Sequence, residues 1–116
     1  MTTDNIQPLI YKSTRGQAKE LYFKDVIFEG LATDGGLSIP SIWPKLDKDL
    51  INEFKNMSYQ DIAFHVFKPY IDTSISDEKL KEIIFESYKK FSNDEITPLN
   101  KIEEKEYLLE LFHGPT

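Results

Sequence analysis

The sequence predicts an α/β fold, an α+β-like arrangement of several helices packed on a small sheet. Three observations carry that prediction. Short apolar runs at Leu9–Tyr11, Leu37–Ile39 and Tyr107–Phe112 are bounded by turn residues, as strands are. Between them apolar residues recur at helical spacing, most clearly after Ser76. The 116 residues, 40% hydrophobic and 13% aromatic, suffice for one core without a disulfide or metal staple.

In order, residues 1–8 are mainly polar and expected to be mobile. Leu9, Ile10 and Tyr11 form the first strand, closed by a turn at Ser13-Thr14-Arg15-Gly16. From about Leu21 the period becomes helical, with Phe23, Val26, Ile27 and Leu31 on one face and Lys24, Asp25 and Glu29 on the other. Gly30 lies near its end, and Asp34-Gly35-Gly36 makes a tight turn that glycine permits. Leu37 and Ile39 alternate around Ser38 before Pro40 and Pro44 break the chain.

Further helices follow. Leu50, Ile51 and Phe54 give one stripe. Ser58 reads as the N-cap of the next helix, with Asp61 in its first turn and a buried face of Ile62, Ala63, Val66, Phe67 and Tyr70. Ser76 caps another, whose stripe is Leu80, Ile83, Ile84, Ser87, Tyr88 and Phe91. Ser92-Asn93-Asp94 ends it. Thr97-Pro98-Leu99 leads into a hairpin with Glu103–Glu106 at its turn and an apolar second arm from Tyr107 to Phe112. His113-Gly114-Pro115-Thr116 follows directly. An apolar strand expects cover on its faces and pairing at its edges. The expectation is therefore an N-terminal piece of a longer protein, with residues 1–116 as a single domain whose hairpin completes a larger sheet.

Composition excludes several classes. With no Cys there is no disulfide framework, thiolate zinc site or cysteine nucleophile. That usage suits a reducing compartment, and the expected location is cytoplasmic. The N-terminus lacks the basic and apolar regions of a secretory signal. A net charge of -6 repels nucleic acid and anionic membranes, so neither is an expected partner. Arg15 is the only arginine. Neither a Walker loop nor a Gly-x-Ser-x-Gly elbow occurs.

Four places could carry chemistry. His113 sits on a loop after an apolar strand, where α/β proteins bind ligands; it is equally suited to fixing a turn through a backbone carbonyl. Ser13, Thr14, Arg15 and Gly16 offer hydroxyls, a guanidinium and an open N–H to a phosphate, or simply a polar turn. Asp34, Gly35 and Gly36 make a ligand-facing loop or a plain helix stop. Asp61 and His65 stand i, i+4 on one helix, but two ligands fall short of a zinc site, and no metal is expected.

Taken together, several of these motifs resemble one family. Tyr11-Lys12-Ser13-Thr14-Arg15-Gly16 is followed by Gly30-Leu31-Ala32-Thr33-Asp34-Gly35-Gly36-Leu37 with Pro40, and the chain closes on Glu110-Leu111-Phe112-His113-Gly114-Pro115-Thr116. This order resembles the N-terminal region of threonine synthases. Ser38 departs from the aromatic residue frequent there, and residues 41–98 resemble the family in helix pattern rather than motif. The resemblance implies a parent enzyme that turns O-phosphohomoserine and water into threonine and phosphate, with pyridoxal phosphate as electron sink. It places His113, Gly114, Pro115 and Thr116 beside cofactor and substrate, with Asp34, Gly35 and Gly36 approaching the same cleft. It implies that the cofactor lysine follows in a Phe-Lys-Asp motif beyond Thr116. This chain would then be inactive alone and bind no cofactor, and the remainder of the enzyme would be its partner. Phe23-Lys24-Asp25 repeats those letters, but on the polar side of a helix, so Lys24 is expected at the surface. The alternatives are a non-catalytic interaction module pairing through Leu108–Phe112, and a metal-dependent hydrolase built on Asp61 and His65.

Overall fold

The computed structural model describes residues 8–115. Expectations for residues 1–7 and for Thr116 lie outside the described residues. Strand β1 (Ile10–Ser13) is the centre of an antiparallel sheet, with β2 (Leu21–Tyr22) and β3 (Ser38–Pro40) at its edges. Tyr11 pairs with Leu21 on one side and Pro40 on the other. Tyr11 and Ser13 are buried while Lys12 is exposed, the period-2 alternation of a half-covered strand. Pro40 lacks an N–H and is tolerated on an edge strand.

Helix α1 (Phe23–Glu29) begins directly after β2 and ends at Gly30, where φ is 74°. Its apolar face was expected to run to Leu31. No residue of α1 is buried, Leu31 lies past its end, and Ile27 and Leu31 are exposed. Two turns reach the core only through Phe23, which packs against it. Helix α2 (Lys48–Glu53) is capped by Asp47 and continues as a 3-10 turn over Phe54–Asn56.

The core is built by α3 (Tyr59–Ile71) and α4 (Asp77–Tyr88). Ser58 and Ser76 cap them as expected, accepting from the backbone N–H of Asp61 and Lys79. Ala63, Phe64 and Ile71 of α3 meet Leu80 and Ile84 of α4, and Phe23, Ile75 and Tyr88 pack around them. Leu80 and Ile84 are only 2% and 3% exposed, and burial of such side chains stabilises by about 1.5–3 kcal/mol each. The expected face of α3 is corrected here: Phe64 and Ile71 are buried, whereas Val66 and Phe67 are exposed. That helix is apolar nearly all round, so periodicity leaves its buried stripe open and the position of α4 selects it.

Sheet and helices join through Tyr11, whose hydroxyl donates to the Tyr70 carbonyl at 2.6 Å and whose ring lies against Phe23. Burial, then the neighbouring Tyr70, raises the Tyr11 pKa above the ordinary phenol value. The Leu9 N–H adds a 2.9 Å bond to the Asp72 carboxylate.

The last sheet is separate. Strands β4 (Leu99–Glu103) and β5 (Glu106–Leu109) pair antiparallel from Leu99↔Leu109 to Glu103↔Glu106, with a bulge between Lys101 and Glu103. Every residue of both strands is exposed. The second arm was expected to stay extended to Phe112. It stops at Leu109 because β4 begins at Leu99, and the Glu110 N–H instead bonds the Pro98 carbonyl at 3.0 Å. The radius of gyration, 17.2 Å, exceeds the roughly 13 Å of a compact domain near this length. Among the described residues no helix is long and apolar enough to cross a membrane.

Candidate functional site

The residues singled out by the sequence assemble into two groups. The first joins the end of β1 to the Asp-Gly-Gly loop. Asp34 Oδ1 accepts from the Ser13 hydroxyl at 2.6 Å and the Gly36 N–H at 2.9 Å, and Oδ2 accepts from the Gln17 N–H at 2.9 Å. Arg15 Nη1 donates to the Asp34 carbonyl at 2.8 Å. The Thr14 hydroxyl accepts from the Leu37 N–H at 3.0 Å, and the Thr14 N–H donates back to the Leu37 carbonyl at 2.9 Å. The Ser13 hydroxyl, then the Gly36 N–H, hold the Asp34 carboxyl down to about 2. Gly36 has to be glycine, because a Cβ there would collide with Ser13 Oγ.

The hydroxyls, the carboxylate and part of the guanidinium are thus occupied in tying one loop to the other. Gly16 ends the turn, its N–H bonded to the Ser13 carbonyl at 3.0 Å. This group is a clasp, and it explains why Ser-Thr-Arg-Gly and Asp-Gly-Gly occur together in one chain.

The second group surrounds His113. Its carbonyl accepts from the Ser92 N–H at 2.9 Å, docking the loop on the chain just after α4. Ring Nε2 lies 2.8 Å from Glu110 Oε2, and Nδ1 lies 3.3 Å from Ser92 Oγ. The two side chains are 14% and 21% exposed, the most enclosed ion-pairing side chains in the described part of the chain. Gly114 lies over Phe91; a Cβ there would stand 3.1 Å from the ring, so the ring would have to give way slightly. The ring of Phe112 lies 4.5 Å from that of His113, centroid to centroid. Phe91, Ser92 and Glu110 were not foreseen as partners of His113. The Glu-x-x-His spacing carried a signal for Glu110; nothing local pointed to Ser92, which is 21 residues away.

Other candidates stay apart. Asp61 is held by Ser58 at 2.7 Å, and His65 lies against the rings of Phe54 and Phe64. Among the described residues no group of three or more His, Cys, Asp or Glu could hold a metal. Lys24 is exposed on α1. An apolar hollow of about 440 Å³ between α1, α3 and α4 is lined by Phe23, Phe67, Ile83 and Tyr88 among others, with no charged group in it. It offers no cationic side chain to an anionic substrate. Among the described residues no lysine is buried, and the Ser13 hydroxyl and Arg15 Nη1 are engaged within the clasp, so the residues present offer no lysine-centred pocket for a phosphorylated cofactor.

The architecture is that of the N-terminal region of a known group of enzymes. It superposes on the pyridoxal-phosphate-bound threonine synthase of Brucella melitensis with a TM-score of 0.86 and 36% identity, covering 92% of this chain and 23% of that one. Residues 10–88 match the family described as "Threonine synthase N terminus", and the chain belongs to that family. It is 43% identical to the threonine synthase of Pseudomonas aeruginosa over 106 residues, and 46% identical to that of Saccharomyces cerevisiae over 114. These alignments cover 91% and 92% of this chain but only 23% and 22% of the relatives, so it spans less than a quarter of their length.

Proposed function

We propose that this chain is the N-terminal part of a cytoplasmic threonine synthase, whose complete form converts O-phosphohomoserine and water into threonine and phosphate. The observation that carries this reading is the match to relatives across nine-tenths of the chain. A free-standing interaction module is not favoured, since such a module has no reason to follow an enzyme family throughout. Residues 1–116 form one domain in this reading, although the family match ends at residue 88 and the hairpin lies beyond it.

In the complete enzyme His113, Gly114, Pro115 and Thr116 border the substrate and cofactor, with Asp34, Gly35 and Gly36 approaching the same cleft. When bound, pyridoxal phosphate supplies the electron sink that lets the γ-phosphate leave and water add at the β-carbon. This chain's own contribution is positional. The clasp holds the Asp-Gly-Gly loop rigidly against β1, and the Ser92 and Phe91 contacts hold the His113 loop on the end of α4. The remainder of the enzyme chain is the partner that covers Ile27, Phe28, Leu31, Leu111 and Phe112, all of them exposed.

The test is phosphate release from O-phosphohomoserine by the full-length protein, with and without His113→Ala. Turnover by the parent, its loss by about 10²-fold in the variant and an unchanged circular dichroism spectrum are the expected results. No release by the parent overturns the functional reading, and near-normal turnover by a folded variant overturns the site.

A further inference from the structure

We propose that Glu110 is the positioning residue of the His113 loop in the proposed reaction, acting through the imidazole, which it holds with the proton on Nε2. This role rests on the functional reading above. An ionised carboxylate can only accept, so the 2.8 Å contact between Glu110 Oε2 and His113 Nε2 requires a ring N–H at that nitrogen. In the neutral ring Nδ1 is then the acceptor, and the neighbour there is a hydroxyl, Ser92 Oγ, which is able to donate. The two contacts differ in weight. The Glu110 bond is short and charge-assisted, whereas the Ser92 bond, at 3.3 Å, is long and its hydroxyl lies equally far from the His113 carbonyl. Glu110 therefore sets the ring and Ser92 adds to it.

The consequence is a division of labour. Nε2 is held by Glu110 and Nδ1 lies beside the Ser92 hydroxyl, so His113 acts as a strut of the loop. Its ring is braced by Phe112, and the next residue, Gly114, lies over Phe91. Among the described residues Glu110 is the only partner of His113 that is both charged and close, and it lies at the last rung of the hairpin, where its N–H bonds the Pro98 carbonyl. Carboxylate, imidazole and loop are thereby tied to the end of β5.

The test has two readouts. The first is the 15N spectrum of the full-length protein labelled at histidine, taken at a pH well above the ordinary imidazole range. The signal lost in His113→Gln assigns the ring. A protected Nε2–H with an unprotonated Nδ1 at His113 is expected, lost in Glu110→Leu and kept in Glu110→Gln, whose amide oxygen still accepts. A ring protonated on Nδ1, or one exchanging freely with water as in an unstructured chain, overturns the assignment. The second readout is turnover by the full-length enzyme. Glu110→Leu is expected to lower kcat by roughly tenfold or more with little change in KM, and Glu110→Gln to restore most of it. Equal damage by the two variants, or none by either, overturns the positioning role. Failure of the unsubstituted enzyme to release phosphate would sink the functional reading while leaving the ring measurement to stand.

Discussion

The body of the chain, from β1 to α4, and the hairpin after it have the same apolar appetite but satisfy it differently. In the body, α3 and α4 bury Phe64, Ile71, Leu80 and Ile84 against each other, and the sheet joins them through Tyr11. The hairpin has Leu99, Ile102, Tyr107, Leu108 and Leu109 at half exposure or more, and its two strands pair only with each other. An isolated two-stranded hairpin is marginal in water, and three or more strands or a helix are needed to make one stable. A closed core and an open sheet thus stand side by side. The first buries its apolar side chains against each other, and the second leaves its own exposed.

Substitutions sharpen that contrast. The largest effect is expected at Leu80→Ala, which removes the most buried core side chain and should cost about 2–5 kcal/mol in denaturant unfolding of the chain. A loss below about 1 kcal/mol would mean that α3 and α4 are not the core.

Next comes the clasp. Its Asp34 carboxyl falls from an ordinary 3.8 to about 2, so its contribution is complete above the ordinary value and disappears as pH falls through about 2. Asp34→Asn should therefore lower the urea midpoint at neutral pH, and the gap to the parent should close as pH drops from about 4 to about 2. A gap that stays constant would show the carboxylate to be a bystander.

Smaller still, Ser76→Ala removes the α4 cap and should cost about 1 kcal/mol. Smallest is Leu108→Ser in the hairpin, expected to stay within about 0.5 kcal/mol in the chain alone because the side chain is exposed. The same change in the full-length enzyme should be far more damaging, if the remainder of that chain covers the strand. Equal effects in both settings would break the contrast between closed body and open sheet.

Much of this was readable before any coordinates. Ser58 and Ser76 announced their helices because capping is a local hydrogen bond between a side chain and a backbone N–H a few residues on. The stripe after Ser76 held Leu80 and Ile84, which are buried, and also Ile83, which is exposed, as is Phe85 beside it. The β4–β5 hairpin was legible from its turn, although its second arm was drawn too long. The end of pairing depends on where the opposite strand begins, and Leu99 is distant from Phe112 in sequence. The α1 face shows a related limit: apolar spacing says that a surface wants cover, not that cover is present.

The site divides in the same way. Residue types and order alone were enough to pick out Ser13–Gly16, Asp34–Gly36 and His113–Pro115, and to relate the chain to an enzyme family, because motifs are strings and strings survive without folding. What they do was decided in three dimensions. Asp34 turned out to hold Ser13, Gln17 and Gly36, and His113 to stand between Glu110 and Ser92. Composition cannot reveal which donors are already engaged, since a hydrogen bond across 21 residues depends on how α4 and the hairpin come together in space.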